Sequence, residues 1–261
     1  MSVARALTVA TSDSGGGAGI QADLKAFAAA GVFGMSALVA LTAQNTVEVT
    51  AIHELPEAFI LAQLEAVFSD IGVDAAKTGM LYSRGVIETV ASYFEAHRVP
   101  LVVDPVMVAS SGAQLLRPDA VKAFVERLLP LATVITPNLP EAVVLAGFEG
   151  TRRELAENLV HRGASAVIVT GGHGATAVDH LFDGHRHIEI EVPRHEVAAT
   201  HGAGCTHSAT IAALLARGVP LEEAARAAAA TAAQAVWNGL TEIGAGDGPV
   251  DVFNLSGVTR E

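Results

Sequence analysis

The sequence predicts an α/β protein built from βαβ units around a mainly parallel sheet, with an antiparallel hairpin at one edge. Short runs rich in strand-forming residues alternate with longer amphipathic stretches along most of the 261 residues. Between residues 175 and 192 the pattern changes to strict alternation, as in Arg186-His187-Ile188-Glu189-Ile190, around the turn signal Asp183-Gly184. Polar residues collect at the C-terminal ends of the strand-like runs, where open α/β sheets place their ligands. No Pro-, Ser- or charge-rich linker divides the chain, so residues 1–261 are expected to form one domain.

The first strand is expected at 6–10, followed by a Gly-rich loop and a helix at 19–30. A strand at 35–41 precedes a helix at 56–71, a strand at 75–78 precedes a helix at 83–97, and a strand at 101–103 precedes a helix at 118–129. Strands follow at 133–136 and 166–170, separated by a helix at 152–162. Before that helix, Asn138 and Glu141 stand three residues apart in a capping pattern. Helices at 205–217 and 221–239 close the series, the alanine-rich 224–235 run reading as a packed helix.

Composition narrows the function. Hydrophobic residues make up 51% of the chain, but every apolar run stops well short of the roughly 20 residues of a membrane span. Met1-Ser2-Val3-Ala4-Arg5 leads into the first strand without a signal-peptide core, and a single cysteine precludes an intrachain disulfide. Both suit the cytoplasm. A net charge of −12 argues against a nucleic-acid surface, which needs clustered Lys and Arg. Lysine occurs only at 25, 77 and 122, so a phosphate site in the second half must use backbone, arginine, histidine or metal. His185 and His187 share one face of the hairpin with no third ligand at zinc spacing, and are read as solvated.

The segment His201-Gly202-Ala203-Gly204-Cys205-Thr206 precedes a helix. Its glycines free the backbone to turn successive N–H groups toward one point, and the helix start adds positive dipole and unpaired donors, a combination suited to phosphate. A thiol at a helix N-terminus tends toward thiolate, so Cys205 is expected to serve as a base or as part of an anion hole; the alternative is a small buried hydrophobe. After the first strand, residues 11–23 form a Gly-rich loop that can cradle a ligand through its backbone, without the Lys-Ser/Thr ending of a P-loop. Asp13 there is expected to brace the loop. Thr42-Ala43-Gln44-Asn45-Thr46, Lys77-Thr78-Gly79-Met80-Leu81, Asp104-Pro105-Val106-Met107 and Thr136-Pro137-Asn138-Leu139-Pro140-Glu141 follow the next strands. Five such signals in register along one sheet edge exceed what helix caps require.

In this order the motifs, with Ser-Asp-Ser-Gly-Gly-Gly-Ala-Gly-Ile-Gln-Ala-Asp-Leu-Lys and Gly-Gly-His, resemble the hydroxymethylpyrimidine and phosphomethylpyrimidine kinases of thiamine biosynthesis, in the ribokinase-like superfamily. The resemblance runs from about Ala6 to Phe253. It implies a three-layer αβα sandwich, ATP with Mg²⁺, a homodimer, and successive phosphorylation of 4-amino-5-hydroxymethyl-2-methylpyrimidine and its monophosphate. Gln44, able both to donate and to accept, matches the ring-reading position. Met80 supplies an apolar wall, Gly19 and Ala18 allow close approach, and Asp23 matches a partner of the substrate hydroxymethyl or its neighbourhood. Asp104 and Glu141 match the Mg²⁺ site, with Asn138 beside them. Gly202, Ala203, Gly204 and Cys205 form the anion loop, where many related sugar kinases carry a catalytic aspartate. Asn138, Thr170, Gly172 and His201 fall on the nucleotide side, His201 either touching phosphate or holding the helix start.

There are departures from the family pattern. Thr170 stands where lysine is common before Gly-Gly, Ser110 and Ala113 replace a loop lysine and aspartate, and Ala203 replaces threonine. Either His173, His201, His207 or an arginine compensates, or turnover is slow. Two other readings stay open: a pyridoxal or pyridoxine kinase, and a non-catalytic pyrimidine-binding protein.

Overall fold

The structure, a computed structural model, describes residues 3–108, 116, 119–171, 177–255 and 257. Its strands are β1 (Arg5–Asp13), β2 (Phe33–Gln44), β3 (Val49–Glu54), β4 (Ala75–Thr78), β5 (Leu101–Val103), β6 (Val134–Ile135), β7 (Val167–Val169), β8 (Val178–Phe182) and β9 (His187–Glu191). Among the described residues they form one nine-stranded sheet in the order β3-β2-β1-β4-β5-β6-β7-β8-β9. The six strands from β2 to β7 in that order run parallel, and the expected edge hairpin is β8–β9. A second antiparallel edge, β3 against β2, was not expected from the sequence.

The helices are α1 (Gly19–Ala29), α2 (Glu57–Ala66, continued by a π turn over Val67–Ile71), α3 (Arg84–Ala96), α4 (Ala120–Ala123, continued by a π turn over Phe124–Leu128), α5 (Leu139–Ala146), α6 (Arg152–His161), α7 (Ala203–Ala216) and α8 (Leu221–Trp237). The expected helix start at residue 118 and the hairpin residues 175 and 176 lie outside the described residues.

Alternation along the strands makes three layers. Leu7, Val9, Leu101, Val103, Ile135 and Val167 face a core shared with α2 to α6, through residues such as Ile60, Val86, Phe94 and Leu155. Ala6, Val102, Val134 and Ile168 face the other core, where Phe27 of α1 meets Ala209 and Ala213 of α7 and Ala224 and Ala228 of α8. Each large side chain buried this way contributes about 1.5–3 kcal/mol. The alanines let α7 and α8 lie close to each other and to the sheet.

Of the two hairpin histidines, His185 is exposed in the turn as expected, but His187 is not solvated. His187 stacks on Phe182 with ring centroids 4.2 Å apart, its Nδ1 lies 2.8 Å from His180 Nε2, and its Nε2 lies 3.0 Å from Glu157 Oε1. The reason is that this edge packs on α6, so its inner face is covered.

The chain runs from β1 outward to β2, then returns past β1 to β4 and proceeds the other way. The C-terminal ends of β1 and β4 are therefore the switch point of the sheet, the crevice where such folds bind ligands.

Candidate active site

Two glycine turns meet at this edge. Gly202 has φ +87°, and a Cβ there would stand 1.9 Å from the Gly17 carbonyl oxygen. Gly19 has φ +57°, and a Cβ there would stand 2.3 Å from the Thr11 carbonyl oxygen. The loop after β1 and the turn that opens α7 thus touch backbone to backbone. At α7, the Ala203 N–H is donated to the Thr200 carbonyl at 3.0 Å. This removes Ala203 from the donors expected of the anion loop. The N–H groups of Gly204 and Cys205 have no acceptor among the described residues, and a Cβ on Gly204 would meet nothing within 4 Å.

The Gly-rich loop itself is not an anion cradle. Asp13 Oδ1 accepts from Gly15 N at 2.7 Å, and Asp13 Oδ2 from Gly17 N at 3.1 Å and Ala18 N at 2.8 Å. Gly16 N is donated to the Asp13 carbonyl. The loop's amides therefore point inward, at the residue expected to brace it.

His201 Nε2 lies 3.1 Å from Asp13 Oδ2 and 3.5 Å from Gln44 Nε2. Its ring is buried against Gly17, where a Cβ would come within 2.2 Å of His201 Cδ2. The structure thus turns this face of His201 toward Gln44 and the loop after β1. Burial alone would raise the Asp13 carboxyl, but His201 and the loop N–H groups hold it below the usual carboxylate range. Gln44, half-buried at the end of β2, also meets Thr42 Oγ1 at 3.1 Å. Met80 is buried just after β4, its carbonyl accepting from Thr11 Oγ1 at 3.1 Å.

Asp23 is not open to a substrate. Lys77 Nζ donates to its Oδ1 at 2.6 Å and Thr8 Oγ1 to its Oδ2 at 2.6 Å, and Asp23 and Lys77 are both fully buried. The expected hydroxymethyl contact is thereby corrected: α1 folds back on the sheet and aims Asp23 at β4. Lys77 also lies 3.5 Å from Asp104 Oδ2, which accepts from Ser208 Oγ of α7 at 2.7 Å. Burial alone would lower the Lys77 ammonium; the carboxylates of Asp23 and Asp104 raise it above its ordinary value, so it stays charged.

This network overturns the expected thiolate. Burial first, then the charges of Asp23 and Asp104, push the Cys205 thiol up to about 12, against the opposing effects of Lys77 and the Gly19 N–H. Cys205 keeps partial exposure, which tempers the burial effect without changing its sign, because the carboxylates act in the same direction. The helix-start dipole is outweighed. At neutral pH the group is a thiol.

Farther along the edge, Asn138 caps α5: its Oδ1 accepts from Glu141 N at 2.9 Å, and Glu141 Oε2 accepts from Asn138 N at 2.9 Å. Burial, then the nearby Asp104 charge, pushes Glu141 up to about 8. Thr170 follows β7 and bridges to Asn138, its N–H donated to the Pro137 carbonyl at 2.9 Å. Gly172, expected on the nucleotide side, and His173, Ser110 and Ala113 lie outside the described residues. Gly171 N is donated to Asp179 Oδ1 at 2.7 Å, and the other carboxylate oxygen lies 3.2 Å from His207 Nε2. The latter contact is an ion-pair distance without hydrogen-bond alignment.

Lys77, Ser208 and Asp179 were missed as site residues. A lysine inside a four-residue strand that is otherwise apolar or Thr was the available signal for the first. The other two become visible only when α7 and β8 are placed beside the sheet.

The family described as Phosphomethylpyrimidine kinase matches residues 13–251 of the chain. The hydroxymethylpyrimidine/phosphomethylpyrimidine kinase of Rhizobium meliloti is 50% identical, covering 95% of this chain and 97% of its own. Pyridoxal kinase from Staphylococcus aureus, solved with AMP-PCP and pyridoxal, superposes with a TM-score of 0.88 at 35% identity over 98% of this chain and 96% of its own. Phosphomethylpyrimidine kinase from Clostridium difficile superposes with a TM-score of 0.77 at 39% identity over 86% of this chain and 96% of its own.

Proposed function

As a member of the phosphomethylpyrimidine kinase family, this chain is a phosphotransferase of hydroxymethylpyrimidine and its monophosphate in thiamine biosynthesis, and we propose that both transfers occur at the switch-point edge of its sheet, with ATP as donor. The observation that carries this placement is the Gly202 turn seated on the Gly17 carbonyl. It sets the N–H groups of Gly204 and Cys205 beside the loop that borders Gln44 and Met80.

In this reading Gln44 reads the pyrimidine's amine and ring nitrogen, Met80 walls its face, and Gly19 and Ala18 border it. The Gly204 and Cys205 amides receive the charge of the migrating phosphoryl group, the main catalytic task in phosphoryl transfer. A neutral thiol beside them lets a substrate that already carries phosphate approach, where a carboxylate would repel it. Thr170 and Asn138 border the nucleotide, with neutral hydrogen bonds where the family commonly has a lysine.

Asp104 and Glu141 fit a divalent cation: the Asp104 charge adds to burial in raising Glu141 to about 8, a repulsion that a cation held by these residues would relieve. Two carboxylates, with waters and phosphate oxygens, suit Mg²⁺. When bound there, Mg²⁺ would neutralise the nucleotide's phosphate charge. Lys77 and Ser208 hold Asp104 in place.

The one continuous sheet supports a single kinase domain over 1–261. Exposed Leu41, Val47 and Phe59 around the β2–β3 edge support the homodimer. The net charge of −12 supports a protein without a nucleic-acid partner, and the single cysteine supports a cytoplasmic site of action. No helix among the described residues is long and apolar enough to cross a membrane.

Product identification by mass spectrometry, after incubation with the pyrimidine alcohol, ATP and Mg²⁺, tests the reaction: a monophosphate and then a diphosphate are expected. The likeness to the Staphylococcus aureus enzyme favours one second reading, a pyridoxal kinase. Faster transfer to pyridoxal than to the pyrimidine in the same assay would select it.

A further inference from the structure

The contacts around Gln44 contain two mismatches that a single change removes. Asp13, held below the usual carboxylate range, only accepts, so the Nε2 of His201, 3.1 Å from its Oδ2, must carry a proton and donate. That same nitrogen lies 3.5 Å from Gln44 Nε2, which sets donor against donor. On the other side of the amide, Thr42 Oγ1 lies 3.0 Å from the Ser12 carbonyl and 3.1 Å from Gln44 Oε1. A carbonyl oxygen only accepts, so the single hydroxyl proton of Thr42 goes to Ser12. Its oxygen is then left to accept, yet it faces another acceptor.

Rotating the Gln44 amide by half a turn exchanges its oxygen and nitrogen, an assignment settled by the hydrogen-bond network. Gln44 Oε1 then accepts from His201 Nε2–H, shared with Asp13, and Gln44 Nε2 donates to Thr42 Oγ1. Both mismatches disappear. The His201 ring is itself held against Gly17, and Asp13 is fixed by three loop amides, so the order is imposed on Gln44 from outside.

We propose that His201, oriented by Asp13, is a positioning residue that sets the polarity of the Gln44 amide and thereby the enzyme's choice of ring. This rests on the reading that Gln44 faces the substrate ring. One N–H and one lone pair of the amide remain for the ligand, in a fixed order. An aminopyrimidine, with an amine donor next to a ring-nitrogen acceptor, answers both. A pyridine that bears a hydroxyl and no amine does not present the same pair.

Steady-state kinetics of wild type, His201→Phe, His201→Gln and Gln44→Leu, with the pyrimidine alcohol, pyridoxal and ATP each varied, test the proposal. His201→Phe should raise the pyrimidine KM about tenfold, the effect of one lost hydrogen bond, and lower the preference over pyridoxal, with the ATP KM unchanged. His201→Gln, which supplies an equivalent N–H, should recover most of both. A rise in the ATP KM alone would place His201 on the nucleotide and overturn the proposal, as would equal changes for all three substrates. Nitrogen-15 spectra of wild-type histidines provide the second measurement if His201→Phe does not fold: His201 protonated only on Nδ1 would overturn the proposal, and a proton on Nε2 is expected. Gln44→Leu separates the two levels. An unchanged pyrimidine KM in Gln44→Leu would remove the ring assignment itself, whereas a raised one beside an unaffected His201→Phe would remove only this inference.

Discussion

Lys77 Nζ lies 2.6 Å from Asp23 Oδ1, with both side chains fully excluded from solvent. Breaking such a pair strands a charge. Lys77→Met should cost about 3–5 kcal/mol in urea unfolding, and the double variant Lys77→Met with Asp23→Leu should recover a large part of it. If the double variant is no more stable than the single, the pair is not the source of the loss.

Cys205 provides a pH test. Its thiol is pushed up to about 12 from an ordinary 9.0, so the native state binds a proton that the unfolded chain releases between those values. The resulting stability is fully present below about pH 9 and lost as pH rises toward 12. Melting curves of wild type and Cys205→Ala across that range should differ in slope, the variant falling less. A small alkylating reagent should label the native protein slowly near neutral pH even though the residue is partly exposed; rapid labelling would contradict the neutral thiol.

For the metal, Glu141→Gln should raise the Mg²⁺ concentration needed for half-maximal rate far more than the pyrimidine KM. The amide oxygen can still accept from Asn138 N, so the α5 cap is retained while a charge is lost. Equal shifts in both quantities would dissociate Glu141 from the metal.

Thr170→Lys restores a cation beside Asn138 at the end of β7. Nucleotide affinity, measured by calorimetry with a non-hydrolysable ATP analogue, should improve roughly three- to tenfold, since a charge-assisted bond is about twice as strong as a neutral one. No change would mean that the phosphates are held elsewhere.

At the meeting of the two glycine turns, Gly202→Ala must hold φ +87° with a Cβ 1.9 Å from the Gly17 carbonyl. The backbone conformation alone costs about 1–2 kcal/mol. Thermal melts should show at least that loss, together with a fall in kcat. A variant as stable as wild type would mean that the loops part easily.

How much of this could be read from the sequence depended on distance along the chain. The strands around Leu7 and Leu38 were legible because strand-forming runs and the turn residues that bound them are local signals. β1 nevertheless extends to Asp13, since its polar end still pairs with β2 at Thr42. β3 was missed because Val49–Glu54 is a half-exposed edge strand with polar residues on both faces. α5 was missed because eight residues are too few for a helical period, although its cap at Asn138 was visible. In the site, Asp13 was legible as a brace through its own loop. Asp23 and Lys77 stand 54 positions apart, and Asp13 and His201 188 apart, so no local pattern could show that the first pair is sealed and the second joined.

The Gly17 carbonyl meets Gly202 backbone to backbone, and this contact ties the loop proposed to border the ring site to the turn proposed to take the phosphoryl group. It works as a ruler of fixed length. The alcohol and its monophosphate differ in where the accepting oxygen lies relative to the ring, by one phosphate group. On the proposed placement of both transfers, a fixed ruler measures only one of those lengths with the ring fully seated, and two seatings of the ring are expected. Substitutions among the ring contacts would then change the ratio of the first step to the second, rather than slow both alike.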